Sequence, residues 1–510
     1  MATDARDHSL TARATLLLLA KTLGYIFSFA LPLLLVRRLN QAEFGLYKQL
    51  FLIVGSTILI LPLGFHMSAY YYLPREPQRR GQIVFNILLF YMLTIGAACL
   101  VIALRPSVLA TMLGGQELPL YAALISLVVL TWGCSSFLET VALANQEIKL
   151  AAIFIVTFNF TRAVFLIGAV VMLGSFKALL YASVLQGGLQ LLALLIYVRL
   201  RFGTFWREFD WALLRAQLSY ALPLGIAATI LHFQMDLDKF FVSKQLGAAA
   251  LAVYSIGCFN IPLFFLLSEA VGSVMIPRVT SLEKLGERRE IVLLLARMMR
   301  KLSAIALPLY ALLLIVGPDF IVVLFTTTYI ASWPIFAVNL AQIPLSVITS
   351  AYDPVLRAYA EPRYFLLSVR ILLLALQGVT LWYVTKPFGM LGAVSIVIGV
   401  GLIERIIVSV RVGHLLGLTR RDLLLLKDVV KLLLAVALAS CVTVLTRRLV
   451  GELSPLFALT VCGTVFSVCY ALALLLLGVL TSQERTIIRQ RIGTLRSLFG
   501  HREQDSLAGG

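Results

Sequence analysis

The sequence predicts an all-α polytopic membrane protein, on three observations. Hydrophobic residues make up 60% of the 510-residue chain and charged residues only 13%, whereas soluble domains sit nearer one half apolar and one quarter charged. With a mean hydropathy of +0.95, too little polar surface remains to coat soluble domains, and lipid must be the solvent. Apolar runs recur at a length that crosses a bilayer as helix, about fourteen of them at roughly 20 residues each. Lys and Arg gather on alternate sides of those runs, the asymmetry that sets orientation. Backbone groups in lipid must be bonded within the protein, and runs this long exceed barrel strands, so each reads as a helix.

The runs follow in order. After a polar stretch at 1–13 comes 14–36, too long for a signal-peptide core and long enough to span, so it reads as a retained first helix. The others are 44–65, 82–104, 118–141, 151–173, 178–198, 213–235, 246–276, 291–316, 331–352, 364–384, 388–410, 424–446 and 456–480. The eighth is long and contains Pro262, so its ends are the least defined. With the N-terminus in the cytoplasm, about 28 Lys and Arg fall on the cytoplasmic side and about 9 on the other. The contrast is clearest in 75–80, 199–215, 278–301, 411–427 and the tail after Thr481, while the connection around Gly317 and Asp319 has none. An even number of spans with both termini inside follows.

A faint repeat divides the chain. Leu39 to Tyr47 and Leu246 to Tyr254 each place a Leu eight residues before a Tyr, with a small residue two before that Tyr. A basic residue, Arg37 or Lys244, precedes each Leu by two. Six spans separate the copies, so the repeats are parallel and predict two six-helix bundles related by an axis along the membrane normal. The expected domains are bundles at 1–198 and 213–410 with a cytoplasmic linker at 199–212, two additional spans at 411–480, and a basic cytoplasmic tail at 481–510. Thr280-Ser281-Leu282-Glu283 has capping-box spacing ahead of a basic segment. In the tail, Ile488, Ile492, Leu495 and Phe499 share a face ringed by Arg485, Arg489, Arg491 and Arg496, as in a helix lying among headgroups; a solvated tail is the alternative.

Several function classes are excluded. The net charge of +18 does not indicate a nucleic-acid partner, because the charges sit in short clusters between apolar runs. The six cysteines fall inside apolar runs without zinc or CxxC spacing and read as small apolar fillers. No Walker A loop is present, the five histidines are scattered, and no metal or Ser/His/Asp spacing stands out. No connection is long enough for the external loop of an intramembrane glycosyltransferase or polymerase. The chain is therefore read as a non-enzyme without cofactor or metal.

Ionisable residues inside the spans carry the functional signal, since each is costly against lipid and turns to the bundle interior or to water. The cations are Lys21, Lys48, Arg162, Arg370, Arg405 and Lys431; the anions are Glu139, Asp236, Asp238, Glu269 and Glu404. Tyr25 and Ser28 follow Lys21 at helical spacing, Asn159 and Arg162 share a face, and so do Arg370 and Gln377. Gln186 and Gln190, and Asn339 and Gln342, mark the inward faces of spans six and ten. A cavity lined by cations and amides results, suited to a diphosphate or an anionic sugar. Lys21, Lys48, Arg162 and Arg370, with Tyr25 and Asn159, are its candidate lining. Pairing of the deeper cations with Glu139 or Glu269, and snorkelling of Lys48 and Lys431 at span ends, are the alternatives. Glu404 and Arg405, adjacent to the cytoplasmic end of their span, read as a local ion pair or as snorkelling. Asp236, four residues after His232, reads as half of a titratable pair or as a structural hydrogen bond.

At these residues a family resemblance emerges. Arg38-Leu39 through Gly45-Leu46-Tyr47 resembles the first-span signature of the polysaccharide exporter family, the Wzx-like flippases of the multidrug/oligosaccharidyl-lipid/polysaccharide (MOP) superfamily. Tyr220-Ala221-Leu222-Pro223, Asp238-Lys239, Gly247, Tyr254 and Ile276-Pro277 are similar to the middle of such proteins, with Ala252 where relatives have a second glycine. The resemblance implies a MATE-like fold and the flipping of a polyprenyl-diphosphate-linked oligosaccharide from the cytoplasmic to the periplasmic leaflet of a bacterial inner membrane, for cell-surface polysaccharide synthesis. It also implies a cationic cavity for the diphosphate, with Lys21, Arg162 and Arg370 as the candidate contacts, and a polymerase or glycosyltransferases as neighbours. Relatives that move drugs by cation antiport rely on carboxylates in the first span, where this chain has Lys21. Two rivals stand beside this reading. An antiporter would couple through Glu139 and Glu269, and a membrane scaffold would recruit a polymerase through the basic loop and tail.

Overall fold

The computed structural model describes residues 2–206, 209–259, 261–359, 363–450 and 454–479, and every regular element among them is helical. The chain begins with α1 (Ala2–Leu35) and α2 (Gln41–Ile60). The turn between them closes on a capping box, in which Asn40 accepts from the Glu43 amide and the Glu43 carboxylate accepts from the Asn40 amide. Next come α3 (Met67–Arg75), α4 (Arg80–Leu104), α5 (Ser107–Leu113), α6 (Ala122–Ser135) and α7 (Phe137–Ala144). Two long helices, α8 (Ile148–Leu173) and α9 (Phe176–Phe202), meet where Gly174 takes a left-handed conformation and Ser175 caps α9 through the Ala178 amide.

Asp210 caps α10 (Trp211–Leu246), which bends by 43° between Pro223 and Gly225. It is followed by α11 (Ala248–Gly257), α12 (Pro262–Lys284) and α13 (Arg288–Phe325). The remainder comprises α14 (Trp333–Asn339), α15 (Gln342–Ala358), α16 (Arg363–Leu416), α17 (Lys427–Leu449) and α18 (Pro455–Leu476). Eleven helices among the described residues are long and apolar enough to cross a membrane, or twelve if the bent pair in α10 is one span. Two places account for the distance from the expected fourteen or so. The stretch 365–416 counts once, although α16 is interrupted at Gly389 (φ 61°, ψ −153°), at the start of the run 388–410. The run at 246–276 is not one helix: α11 stops at Gly257 and α12 starts on Pro262, in a first helical turn, where the missing proline N–H costs no helical hydrogen bond.

Two further expectations are corrected. Thr280 and Ser281 cap nothing; they lie within α12, and their hydroxyls donate back to the carbonyls of Ile276 and Arg278. Gly317 and Asp319 form no connection, because α13 runs on through Pro318 to Phe325. The amphipathic tail, from Arg485 to Phe499, lies outside the described residues.

The chain divides into two compact units. The first comprises Met1–Asn260, Leu324–Asn339 and Arg363–Glu404. Within it, α1 packs along α8, α6 lies between α4 and α9, and α2 packs on α11. This last pair gives the repeat its physical content: α2 and α11 each start two residues after the repeated Leu, Leu39 or Leu246, and bury the repeated Tyr47 and Tyr254. A Cβ on Gly45 would lie 2.1 Å from the Ala248 carbonyl oxygen, so the approach of the two helices requires glycine there. Gln217 of α10 ties the unit together elsewhere. It accepts from the Asn86 amide at 2.9 Å and donates to Ser68 Oγ at 3.4 Å, and all three side chains are fully buried.

The second unit comprises Ile261–Val323, Leu340–Pro362 and Arg405–Gly510. Here α12 packs on α15, and α17 packs on α18. Val436, Ala439 and Phe466 bury against Leu307, Ala311, Leu312 and Ile315, which attaches the last two helices to α13. Arg447 pairs with Asp319 at 2.8 Å, and Tyr470 donates to the Ala304 carbonyl at 2.9 Å.

Candidate functional site

The site begins at the seam of α1 and α8. Ala20, Ala152 and Ile155 bury together there, setting the two helices in register. One turn further, Ser28 Oγ donates to Asn159 Oδ1 at 3.1 Å, and Asn159 Nδ2 donates to the Ile155 carbonyl at 2.8 Å. Asn159 is thereby fixed, and Arg162, three residues on, projects from the same face of α8.

Arg162 lies over an aromatic ring. Its guanidinium carbon is 4.2 Å from the centre of the Trp132 ring, a contact worth about 0.5–2 kcal/mol depending on desolvation. Trp132 is itself immobilised: its indole N–H donates to the Ser183 carbonyl at 2.8 Å, and Phe51 packs edge-on at 5.3 Å. Arg162 Nε is buried without a hydrogen-bond partner. Around these groups is a cavity of about 290 Å³, whose lining includes Trp132, Glu139, Phe158, Asn159, Arg162 and Gln190. Gln190 accepts from Gln186 at 3.3 Å, which orients its remaining N–H groups.

The sequence-predicted residues therefore separate. Asn159, Arg162 and Glu139 come together in one cavity of the first unit. Lys21 and Tyr25 stand on the exposed face of α1. Lys48 is elsewhere, with Nζ 5.2 Å from the Phe44 ring centre and 5.8 Å from that of Tyr47. Arg370 is paired with Glu404 at 3.6 Å. Glu404 is thus not a local partner of Arg405, whose Nε donates to the Leu345 carbonyl. Neighbouring residues on a helix point about 100° apart, so adjacency in sequence does not make a pair. Asp236 pairs with Lys239, not with His232; both neighbours lie at helical spacing, and the cation offers the stronger partner. Lys431 pairs with Asp428. The side chain of Glu269 lies outside the described residues.

Trp132 is what the sequence reading missed. Its signal is the spacing Trp132, Ser136, Glu139, which sets an aromatic, a hydroxyl and a carboxylate along one side of α6 and α7. Asp238 has a partner that the reading did not assign either, the Tyr254 hydroxyl, which donates to its Oδ2 at 2.5 Å. In the second unit a cleft of about 530 Å³ is lined mainly by apolar side chains such as Val274, Met298 and Leu302, with the exposed Arg297 and Lys301. It offers little to a polar head.

The family model described as "Polysaccharide biosynthesis protein" matches residues 34–334, more than half of the chain. The chain belongs to this family. No curated protein matches it. Among solved structures it is similar to "Lipid II flippase MurJ, inward closed conformation", with TM-score 0.64 and 12% identity over 89% of this chain and 98% of that one. A multidrug resistance MATE family transporter of the MOP superfamily, inward-facing, gives TM-score 0.60 at 13% identity over 79% and 98%. A MOP superfamily transporter from Pyrococcus furiosus, described by the reverse polarity of its binding pocket, gives 0.53 at 13% over 80% and 96%. At these identities the likeness shows the fold. This member of the polysaccharide biosynthesis family is a multi-pass membrane protein with the MOP transporter fold.

Proposed function

We propose that the chain is a flippase that moves a polyprenyl-diphosphate-linked oligosaccharide across a bacterial inner membrane by alternating access, in the synthesis of a cell-surface polysaccharide. The observation that carries this reading is the cavity around Arg162. A guanidinium, a carboxylate and two amides converge there between helices long and apolar enough to cross a membrane, in a member of a polysaccharide biosynthesis family. Hydrocarbon would make each of these groups costly unless a polar ligand or water meets them. The polar head of the substrate enters this cavity while the prenyl tail remains in lipid. Lys21, Tyr25, Lys48 and Arg370 belong to the same proposal as contacts along the head's route, where their cations attract the diphosphate. No cofactor takes part. Both termini are cytoplasmic, and glycosyltransferases and a polymerase supply and consume the lipid-linked glycan. The halves at 1–198 and 213–410 are the moving parts.

Glu139 favours one rival. A carboxylate lining the cavity is what a cation-coupled antiporter of small molecules needs. Cells that depend on this chain for surface polysaccharide separate the two readings. Arg162→Gln lowers polysaccharide export at least tenfold if the head is recognised as proposed. If neutralising Glu139 and Glu269 abolishes transport while neutralising Arg162 and Lys21 does not, the antiporter reading replaces the flippase.

A further inference from the structure

The cavity lining carries a finer chemical signature than positive charge. A site built for a diphosphate presents donors, because every oxygen of the ligand is an acceptor. This cavity instead sets Glu139 beside Arg162, and no ion pair between the two is found among the described residues. A carboxylate in so small a space repels a diphosphate. A hydroxyl fits both groups at once, because its oxygen accepts from a guanidinium while its hydrogen donates to a carboxylate. The amides complete the same pattern. Gln190 keeps N–H groups beyond its bond from Gln186, and Asn159 keeps one N–H beyond its bond to Ile155. Phe154 and Phe158 add aromatic side chains to the lining, apolar surface against which the C–H face of a pyranose packs.

Size points the same way. At about 290 Å³ the cavity lies at the lower limit of drug-sized pockets, about 300–1,000 Å³. That suits one sugar unit rather than an oligosaccharide. The charges of Arg162 and Glu139 cancel, so the sugar need carry none.

We infer that this cavity seats one neutral pyranose unit of the glycan head, with Arg162 donating to a sugar hydroxyl, Glu139 accepting from one, and the diphosphate held outside. The inference rests on the flippase reading and moves Arg162 from the diphosphate to the sugar. Trp132 acts as the positioning residue that holds the guanidinium, and it doubles as a reporter.

The test uses the full chain in lipid nanodiscs, titrated with glucose, galactose, mannose, N-acetylglucosamine and N-acetylgalactosamine, and separately with sodium pyrophosphate. The readout is tryptophan fluorescence, with Trp132→Phe identifying the local signal. At least one sugar gives a saturable change that Trp132→Phe removes. Glu139→Gln and Arg162→Lys, each checked for unchanged elution as a monodisperse sample, weaken sugar binding at least tenfold. Pyrophosphate gives no saturable change at Trp132. The inference is overturned if pyrophosphate saturates the Trp132 signal and Glu139→Gln tightens it, or if no sugar binds. Either result leaves the flippase reading standing. Sugar binding in a protein that fails to translocate a lipid-linked glycan has the opposite meaning: the sugar site stands and the flippase reading fails.

Discussion

Arg162 concentrates the chemistry of this chain in one side chain. It is held over the ring of Trp132, its Nε is buried without a hydrogen-bond partner, and it lines a cavity between apolar helices. Hydrogen bonds to charged groups contribute about 1.5–3 kcal/mol, so Arg162→Gln lowers the transport rate by roughly ten- to a hundredfold. Arg162→Lys recovers little of this, because an ammonium has neither the guanidinium's planar fork of donors nor its breadth over the indole. Transport rates of the two variants at matched protein levels check this. Arg370 makes a second case. With Glu404 as partner, a double-mutant cycle of Arg370→Gln and Glu404→Gln gives a coupling of about 1 kcal/mol in thermal unfolding; a coupling of zero contradicts the pair. Asn159 and Arg162 were legible in the sequence, because polar residues three apart in an apolar helix must share a face. Trp132 was not, because a tryptophan in an apolar run reads equally as core. The partners of Asp236 and Glu404 escaped for a different reason. Helical spacing offers several equally near neighbours, and the choice among them depends on rotamers and on other helices.

At the scale of elements, α2 and α11 are held by a close approach that tolerates no side chain at Gly45. The obstacle is the backbone carbonyl of Ala248, which cannot swing aside. Gly45→Val therefore destabilises by about 1–3 kcal/mol or more, measured as a lowered thermal midpoint of the purified protein; an unchanged midpoint contradicts the contact. Gln217→Leu strands the Asn86 amide in a fully buried network, at a cost of about 1–3 kcal/mol, whereas the more exposed Thr380→Val leaves the midpoint nearly unchanged. The long helices could be read from hydropathy, because lipid imposes one length and one conformation on them. Their ends were harder to read. Pro262 starts a helix and Pro318 sits within one, although both are prolines in apolar sequence. Hydropathy does not distinguish the two, because proline is as apolar at a helix start as inside a helix. The repeat was legible because its Leu, small residue and Tyr mark equivalent helix starts, and α2 and α11 begin in that shared register.

For the whole molecule, composition determines the solvent and loop charge determines the orientation. A reporter active only in the cytoplasm, fused at either terminus, is active at both; an inactive fusion at one end makes the number of spans odd. The family and the fold place the chain among polysaccharide biosynthesis proteins with a transporter architecture. Its cargo was legible only as a class, because sugars are recognised by scattered polar side chains and not by a motif. The central claim is transport of a lipid-linked glycan, and reconstitution tests it most directly. The purified chain is placed in liposomes loaded with a fluorescent polyprenyl-diphosphate oligosaccharide, and an external enzyme that cleaves only outer-leaflet glycan is added. Fluorescent lipid in both leaflets becomes accessible with the wild-type chain, and the protected half does so at least tenfold more slowly with Arg162→Gln. If half the glycan remains protected with the wild-type chain, while a labelled drug crosses the same vesicles, the flippase account is wrong.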